Sequence, residues 1–305
     1  MKVAVLGLGT MGRSIAGLCA AQGCDVTGTD PHADGVEEQI ERIIADVLRD
    51  APSGSLARAT RVRMATSVSA AVDGSDLVIE ALPESAELKV RVLRPLFAEA
   101  PERLVFTNTS ALPVDFLSDQ LGHPPGFLGV HFFNPAHIVR GVEIIPAEAT
   151  AAWAVTTTHR LLGQLGKSAV AVRSSPGFVG NRLQLALFAE AARCVDEGLA
   201  TPEEVDEIVR TTFGFRLACY GPFTIADMAG LDVFHAILEN LHQHFGPRFE
   251  PPSGLRDRVR AGRLGLKSGA GYGTYPAAEA ESLEADRNTR YQAVIAAADS
   301  PTDAK

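Results

Sequence analysis

A short apolar run, Lys2-Val-Ala-Val-Leu6, leads directly into Gly7-Leu-Gly9-Thr10-Met11-Gly12 and then into a helix-forming segment over 13–22. An apolar run stopped by glycine reads as a buried strand, and each glycine after it has a separate task. Gly7 allows the tight turn, Gly9 lets the backbone approach a pyrophosphate, and Gly12 lets helix and strand pack closely. Thr10 and Met11 fall where the following helix begins, and its N-terminus offers free N–H groups and a positive dipole end to phosphates. A second strand, 25–29, ends in Asp30, 18 residues beyond Gly12. A carboxylate at that distance meets the adenosine ribose hydroxyls of a dinucleotide. A glycine-rich turn without a ligand is the alternative for the loop alone, and Asp30 speaks against it.

Strand and helix patterns alternate through the first half of the 305 residues. Further strands are predicted at 62–65, 76–80, 103–107, 127–131 and 142–146, and helices at 35–50, 85–99 and 114–121, with a loop at 51–55. Such alternation predicts an α/β doubly wound parallel sheet with helices on both faces. Ligands in that architecture lie off the carboxyl ends of the strands, where Thr107-Asn108-Thr109-Ser110 and His131 fall. The pattern changes after about residue 172. A turn-rich connector at 173–177 leads to segments that read as helical, 178–197, 202–212, 231–245 and 278–297. Two domains, 1–173 and 174–305, follow from this change. Thr201-Pro202-Glu203-Glu204 is a helix start, Gly198 and Gly214 are expected C-caps, and 300–305 is expected to fray.

The balance of 28 basic and 37 acidic residues, net −9, argues against a general nucleic-acid or anionic-membrane binder. The most apolar long stretch, 178–199, contains Asn181, Arg182, Gln184, Glu190 and Arg193, too polar for a bilayer span. Four cysteines without CxxC spacing, and no signal segment before the first strand, predict a soluble cytoplasmic protein.

One group of polar residues stands out in apolar surroundings: Ser110, His131, Glu143 and Asn181. A metal-free nicotinamide alcohol dehydrogenase must remove the hydroxyl proton as hydride leaves carbon, and imidazole suits that task. A carboxylate partner fixes its tautomer and stabilises the imidazolium. Amide and hydroxyl groups bind the oxygen on which charge develops. Each residue also has a plainer reading: a core histidine, a glutamate on the exposed face of an edge strand, a helix-start asparagine, a serine N-cap. A hydrolase triad lacks its GxSxG elbow here. His235, His242 and His244 have no cysteine or carboxylate pattern to complete a metal site, and no metal is expected.

The chain resembles the 3-hydroxyacyl-CoA dehydrogenase family over nearly its full length. The matching pieces are Gly7-x-Gly9-x-Met11-Gly12, Asp76-Leu-Val-Ile-Glu80, Asn108-Thr-Ser110, His131-Phe-Phe-Asn134-Pro135, Val142-Glu143 and Pro176-Gly-Phe-Val-x-Asn181-Arg182. Gly221-Pro-Phe, Ala229-Gly-Leu-Asp232 and Gly262-Arg-Leu-Gly265-x-Lys267-Ser-Gly269-x-Gly271-Tyr272 follow in the family's order. The resemblance implies a Rossmann domain binding NAD, followed by an all-α C-terminal domain that dimerises. It also implies a His131–Glu143 catalytic pair, with Ser110 and Asn181 on the substrate oxygen. Glu80, Ala81, Glu84, Lys89, Asn108, Ser110, Asn134 and Lys267 join the loop residues and Asp30 as expected cofactor contacts. A noncatalytic NAD(H)-binding protein is the rival from another class, and the four polar residues together speak against it.

Several departures bear on the substrate. The stretch 31–60 contains no lysine, where the coenzyme A enzymes carry lysines for the nucleotide end of the acyl carrier, and it is acidic at Glu37, Glu38, Glu41, Asp46 and Asp50. Arg58, Arg61 and Arg63 are the candidate replacements, with ordinary surface charge as the alternative. Ser14 stands where the helix usually has glycine. Asn134-Pro135-Ala136-His137 is closer to the branch acting on free hydroxy acids, such as gulonate and carnitine dehydrogenases. Arg140, near Glu143, is expected to pair with a carboxylate or polar group of the substrate, a surface arginine being the alternative. The expected reaction interconverts a 3-hydroxyacyl group, as a thioester or related 3-hydroxy acid, and its 3-oxo form, the alternative being a free or carrier-protein-bound hydroxy acid. The departures lead us to expect weak activity on short 3-hydroxyacyl-CoAs and better activity on a small polar or carrier-bound 3-hydroxy compound.

Overall fold

Alternate residues of β1 (Lys2–Leu6) leave the strand on opposite sides, Val3 and Val5 into one core and Ala4 and Leu6 into another. The computed structural model describes residues 1–49, 59 and 61–299, so the expectations for Asp50, Arg58, the 51–55 loop and the 300–305 end lie outside the described residues. The other strands are β2 (Asp25–Thr29), β3 (Arg63–Met64), β4 (Leu77–Glu80), β5 (Val105–Thr107), β6 (Phe127–Phe132), β7 (Gly141–Pro146) and β8 (Ser168–Ala171). They form one sheet in the order β3-β2-β1-β4-β5-β6-β7-β8. Both faces of the central strands are covered, which is why β1, β4 and β6 read as continuous apolar runs rather than alternating ones.

Helices α1 (Thr10–Ala21) and α2 (Val36–Leu48) pack on the first face. On the second lie α3 (Val68–Val72), α4 (Ala86–Glu99) and α5 (Val114–Leu121), and α6 (Ala152–Gln164) returns to the first. Ser67 and Ser85 cap α3 and α4, accepting from the amides of Ala70 and Leu88; an N-terminal donor that would otherwise be orphaned is satisfied in each. Three elements around this sheet lie outside the sequence expectation: α3, α6 and the short edge strand β8.

The wholly parallel sheet is corrected by the structure: β7 runs antiparallel to β6, and β8 is parallel to β7. The physical reason is length. Parallel neighbours need a crossover of about a dozen residues or more, and the connection 133–140 is shorter than that. The consequence is register, since His131 lies directly opposite Glu143 across the β6–β7 ladder.

The chain divides into two compact units, 1–188 and 189–305. The division falls inside α7 (Gly180–Asp196). Phe178, just before that helix, is buried in the second core of the sheet, so the helix start is built onto the first unit. In the second unit α8 (Pro202–Ile208) starts where the sequence predicts, and Thr201 and Glu204 form a reciprocal capping box there. Gly214 is not a C-cap: a π-helical turn, Val209–Gly214, continues into α9 (Phe215–Cys219). A Cβ at Gly214 would sit 2.7 Å from the Val209 carbonyl oxygen, so glycine is what this wide turn requires. Gly198, with φ +71°, follows α7 in the left-handed conformation of a cap. After α10 (Pro222–Ala229), α11 (Leu231–Phe245) and α12 (Ser253–Arg260) comes α13 (Ala277–Asp299). Among the described residues no helix is long and apolar enough to cross a membrane.

Candidate active site

Within the first unit a cleft of about 1220 Å³ opens beyond the carboxyl ends of the strands, lined by the glycine loop, Asp30, Ala81, Glu84, Asn108, Ser110, His131, Asn134 and Asn181. Gly7 has φ +88°, and a Cβ there would lie 2.7 Å from the Ala81 carbonyl oxygen. A Cβ on Gly12 would lie 1.8 Å from the Gly7 carbonyl oxygen, so both positions exclude any side chain. Gly9 differs, because a Cβ there would meet nothing within 4 Å. That open space fronts the start of α1, whose N-cap Gly9 has no side chain to occupy the helix's free amides. The arrangement fits a diphosphate held by backbone N–H groups. Asp30 braces the loop through both oxygens, accepting from Leu8 N (2.7 Å) and His32 N (2.8 Å). Its part-exposed carboxylate retains lone pairs for ribose hydroxyls.

Glu80 and Lys89 are corrected in position: both are buried and neither lines the cleft. Their 2.6 Å ion pair is completed by Thr107 Oγ1 and Leu82 N donating to the carboxylate and by Leu82 O accepting from the ammonium. A buried pair persists only when its remaining valences are satisfied, and here they hold the 81–84 loop from beneath. Glu84 does line the cleft. One of its oxygens accepts from Thr109 Oγ1 (2.6 Å), Ser110 N (2.9 Å) and Ala111 N (3.0 Å), fixing the turn that carries Ser110. Burial alone would raise this carboxyl; those bonds and the Lys89 charge outweigh it and hold Glu84 below the usual glutamate range.

His131 and Glu143 project from facing positions onto one side of the sheet, and their Nδ1···Oε2 contact is 2.9 Å. The second carboxylate oxygen accepts from Val179 N and Gly180 N, each 2.9 Å, at the start of α7. An ionised carboxylate can only accept, so Nδ1 carries the imidazole proton and Nε2 presents its lone pair. The rings of Phe133 and Phe178, 4.5 and 5.5 Å from the imidazole, flank it. Asn181 donates to the Ser110 carbonyl (3.0 Å), tying the two expected substrate-oxygen residues together beside His131. Asn108 accepts from Phe132 N (3.0 Å) and so joins the ends of β5 and β6.

One expected site residue is elsewhere. Arg140 is exposed and outside the cleft, and its charge is felt at Lys167. Lys267 belongs to the second unit, where it pairs with Asp232 at 2.6 Å. The sequence reading also overlooked the amides of Val179 and Gly180. Glycine at 180 was their signal, since a Cβ there would lie 2.3 Å from the Phe133 ring. Arg63 is engaged by Asp25 at 2.7 Å. His242 and His244 hydrogen-bond backbone carbonyls on their own helix and its end, and no metal-sized cluster of His, Cys, Asp or Glu occurs among the described residues.

Comparison with known proteins shows the family. Residues 2–175 match the 3-hydroxyacyl-CoA dehydrogenase NAD binding domain, and residues 177–275 match the C-terminal domain of the same family. The chain is 32% identical over 298 residues to 5-formyl-3-hydroxy-2-methylpyridine 4-carboxylate 5-dehydrogenase of Mesorhizobium japonicum, covering 96% of each chain. It is 35% identical over 285 residues to a probable 3-hydroxybutyryl-CoA dehydrogenase of Deinococcus radiodurans, covering 90% of this chain and all of that one. The solved 3-hydroxyacyl-CoA dehydrogenase of Archaeoglobus fulgidus superimposes with a TM-score of 0.78 at 31% identity, over 97% of this chain and 98% of that one.

Proposed function

Because the chain belongs to the 3-hydroxyacyl-CoA dehydrogenase family, we propose that it interconverts the secondary alcohol of a small 3-hydroxy compound and its ketone, with NAD as cofactor and His131 as general base and acid. The observation that carries this reading is His131, paired with Glu143, on the wall of the same cleft as the glycine loop. When bound there, NAD supplies the hydride acceptor. The loop from Gly7 to Met11, the N-terminus of α1 and Asp30 would hold it. His131 Nε2 takes the hydroxyl proton during oxidation and returns it during reduction. Glu143, pinned by two amides, keeps the ring in the productive tautomer and offsets the positive charge of the imidazolium. Ser110 and Asn181 orient the substrate oxygen.

For the substrate we infer a free or carrier-protein-bound hydroxy acid rather than a coenzyme A thioester. The exposed acidic residues Glu37, Glu38 and Glu41 of α2, with no lysine in 31–60, support this. Coenzyme A brings a 3′-phosphate and a diphosphate, which Arg or Lys normally holds. The Mesorhizobium relative acts, by its name, on a small pyridine carboxylate. A homodimer through the helical unit completes the reading, supported by exposed Leu183, Leu185 and Phe188 on α7 and Phe223 on α10. The test follows reduced-cofactor absorbance with 3-hydroxybutyryl-CoA, its carrier-protein equivalent and free 3-hydroxy acids. A free or carrier-bound compound is expected to give at least a tenfold higher kcat/KM. Turnover of the coenzyme A thioester at about 10⁴–10⁸ M⁻¹s⁻¹ would overturn the substrate class and leave the chemistry standing. NADH binding without turnover of any substrate would favour a noncatalytic binder.

A further inference from the structure

His137 lies in the turn 135–139 that follows β6, and its backbone and ring both engage one buried residue of the cofactor helix. Its N–H donates to Ser14 Oγ (3.1 Å), and its Nδ1 lies 2.8 Å from the same oxygen. Its Nε2 faces Asp46 of α2 at 3.3 Å, and Asp46 in turn pairs with Arg49 at 2.6 Å. The carbonyls on either side of His137, Ala136 O and Val139 O, accept from the Lys167 ammonium at 2.6 and 2.7 Å. A carboxylate can only accept, so Nε2–H points at Asp46, and in the neutral ring Nδ1 is left to accept the Ser14 hydroxyl proton while Oγ accepts from the His137 N–H. The order Ser–His–Asp is that of a nucleophile relay, but Ser14 is 3% exposed and does not line the cleft. Its hydroxyl is a structural donor.

What this tie holds is the cleft itself. Asn134 and Val139, on either side of the turn's anchored residues, line it, as do Thr10 and Met11 in the first turn of α1. Ser14 sits one turn beyond Thr10, on the same side of that helix. We infer that Ser14 and His137 are positioning residues for the dinucleotide, setting the turn 134–139 against the helix that receives the pyrophosphate. The inference rests on the dinucleotide reading of the cleft. It assigns a role to the serine that replaces the usual glycine: glycine at 14 cannot make the tie.

The experiment measures NADH affinity by the fluorescence of the bound cofactor, which needs no substrate, for the wild type, Ser14→Ala, His137→Ala, His137→Asn and the double alanine variant. Both single alanine variants are expected to bind NADH at least fivefold more weakly. The double variant should be no weaker than the weaker single one, because both remove the same contact. His137→Asn retains a side-chain acceptor near the Nδ1 position and should recover most of the affinity. If His137→Ala does not fold, Ser14→Ala and His137→Asn carry the comparison. Single variants within twofold of wild type, or losses that multiply in the double variant, would overturn the inference. A wild type that does not bind NADH would overturn the dinucleotide reading and this role with it.

Discussion

In the proposed reaction one ring nitrogen of His131 carries the proton chemistry. His131→Ala is expected to lower kcat by roughly 10²–10⁴-fold with NADH binding nearly unchanged; most activity retained would point to another base. Glu143→Gln should also be slow. Its amide must face either the Nδ1–H or the amides of Val179 and Gly180, and two donors cannot satisfy each other. On the same reading Asp30 is the residue that sets cofactor choice. A 2′-phosphate about 4 Å from its carboxylate, at an effective dielectric of ~20, meets a repulsion on the order of 4 kcal/mol. No arginine in Pro31-His32-Ala33 offsets it. NAD should be strongly preferred, and equal kcat/KM with NADP would refute this. Glu84 adds a pH dependence. Its carboxyl is held below the usual range in the folded protein, so its stabilising contribution is complete above the ordinary glutamate pKa of about 4.3 and is lost as pH falls through the lowered folded value. Acid titration of wild type against Glu84→Gln should show that extra loss of stability in the wild type alone.

The β1–α1 element depends on two glycines that no other residue can replace. Gly12→Ala would put a methyl 1.8 Å from the Gly7 carbonyl oxygen, and the strand and helix must separate to admit it. Overpacking costs about 1–3 kcal/mol, sometimes more, so the urea midpoint should fall and NADH affinity with it. A variant as stable as wild type would show that this junction is looser than its geometry. In the second unit the glycine-rich run after Gly262 is likewise structural. Buried Asp227 accepts from Tyr272 N (3.0 Å), Gly273 N (2.8 Å) and the Tyr275 hydroxyl (2.8 Å). A Cβ on Gly271 would lie 2.1 Å from that carboxylate, so the motif packs a loop around one acid.

For the whole molecule, the helical unit carries the apolar surface on which the proposed pairing rests. Its buried apolar cluster contains Ala226, Leu231 and Leu255, while Phe223, Val233 and Ile237 remain exposed. Exposed apolar surface on this scale marks an interface, and pairing of two copies is the economical way to cover it. Light scattering is expected to give about twice the 32.3 kDa chain mass at micromolar concentration. A monomer would count against pairing.

The glycine loop, Asp30 and the strand–helix alternation were legible in the sequence because they are local: a turn needs glycine where φ is positive, and a covered strand needs apolar residues on both faces. Even β7 was recognisable as a strand. Its direction was not, because direction is a relation between strands, and only the short 133–140 connection hinted at it. That reversal sets Glu143 opposite His131. The side chains of Glu80 and Lys89 were likewise recognisable as charged but not as buried; the packing of α4 on the sheet put them beneath the cleft. Residue types and local conformation are dictated by neighbours in the chain. Which polar groups share a cavity is decided by packing between distant segments, and here that packing turned a histidine and a glutamate into a pair.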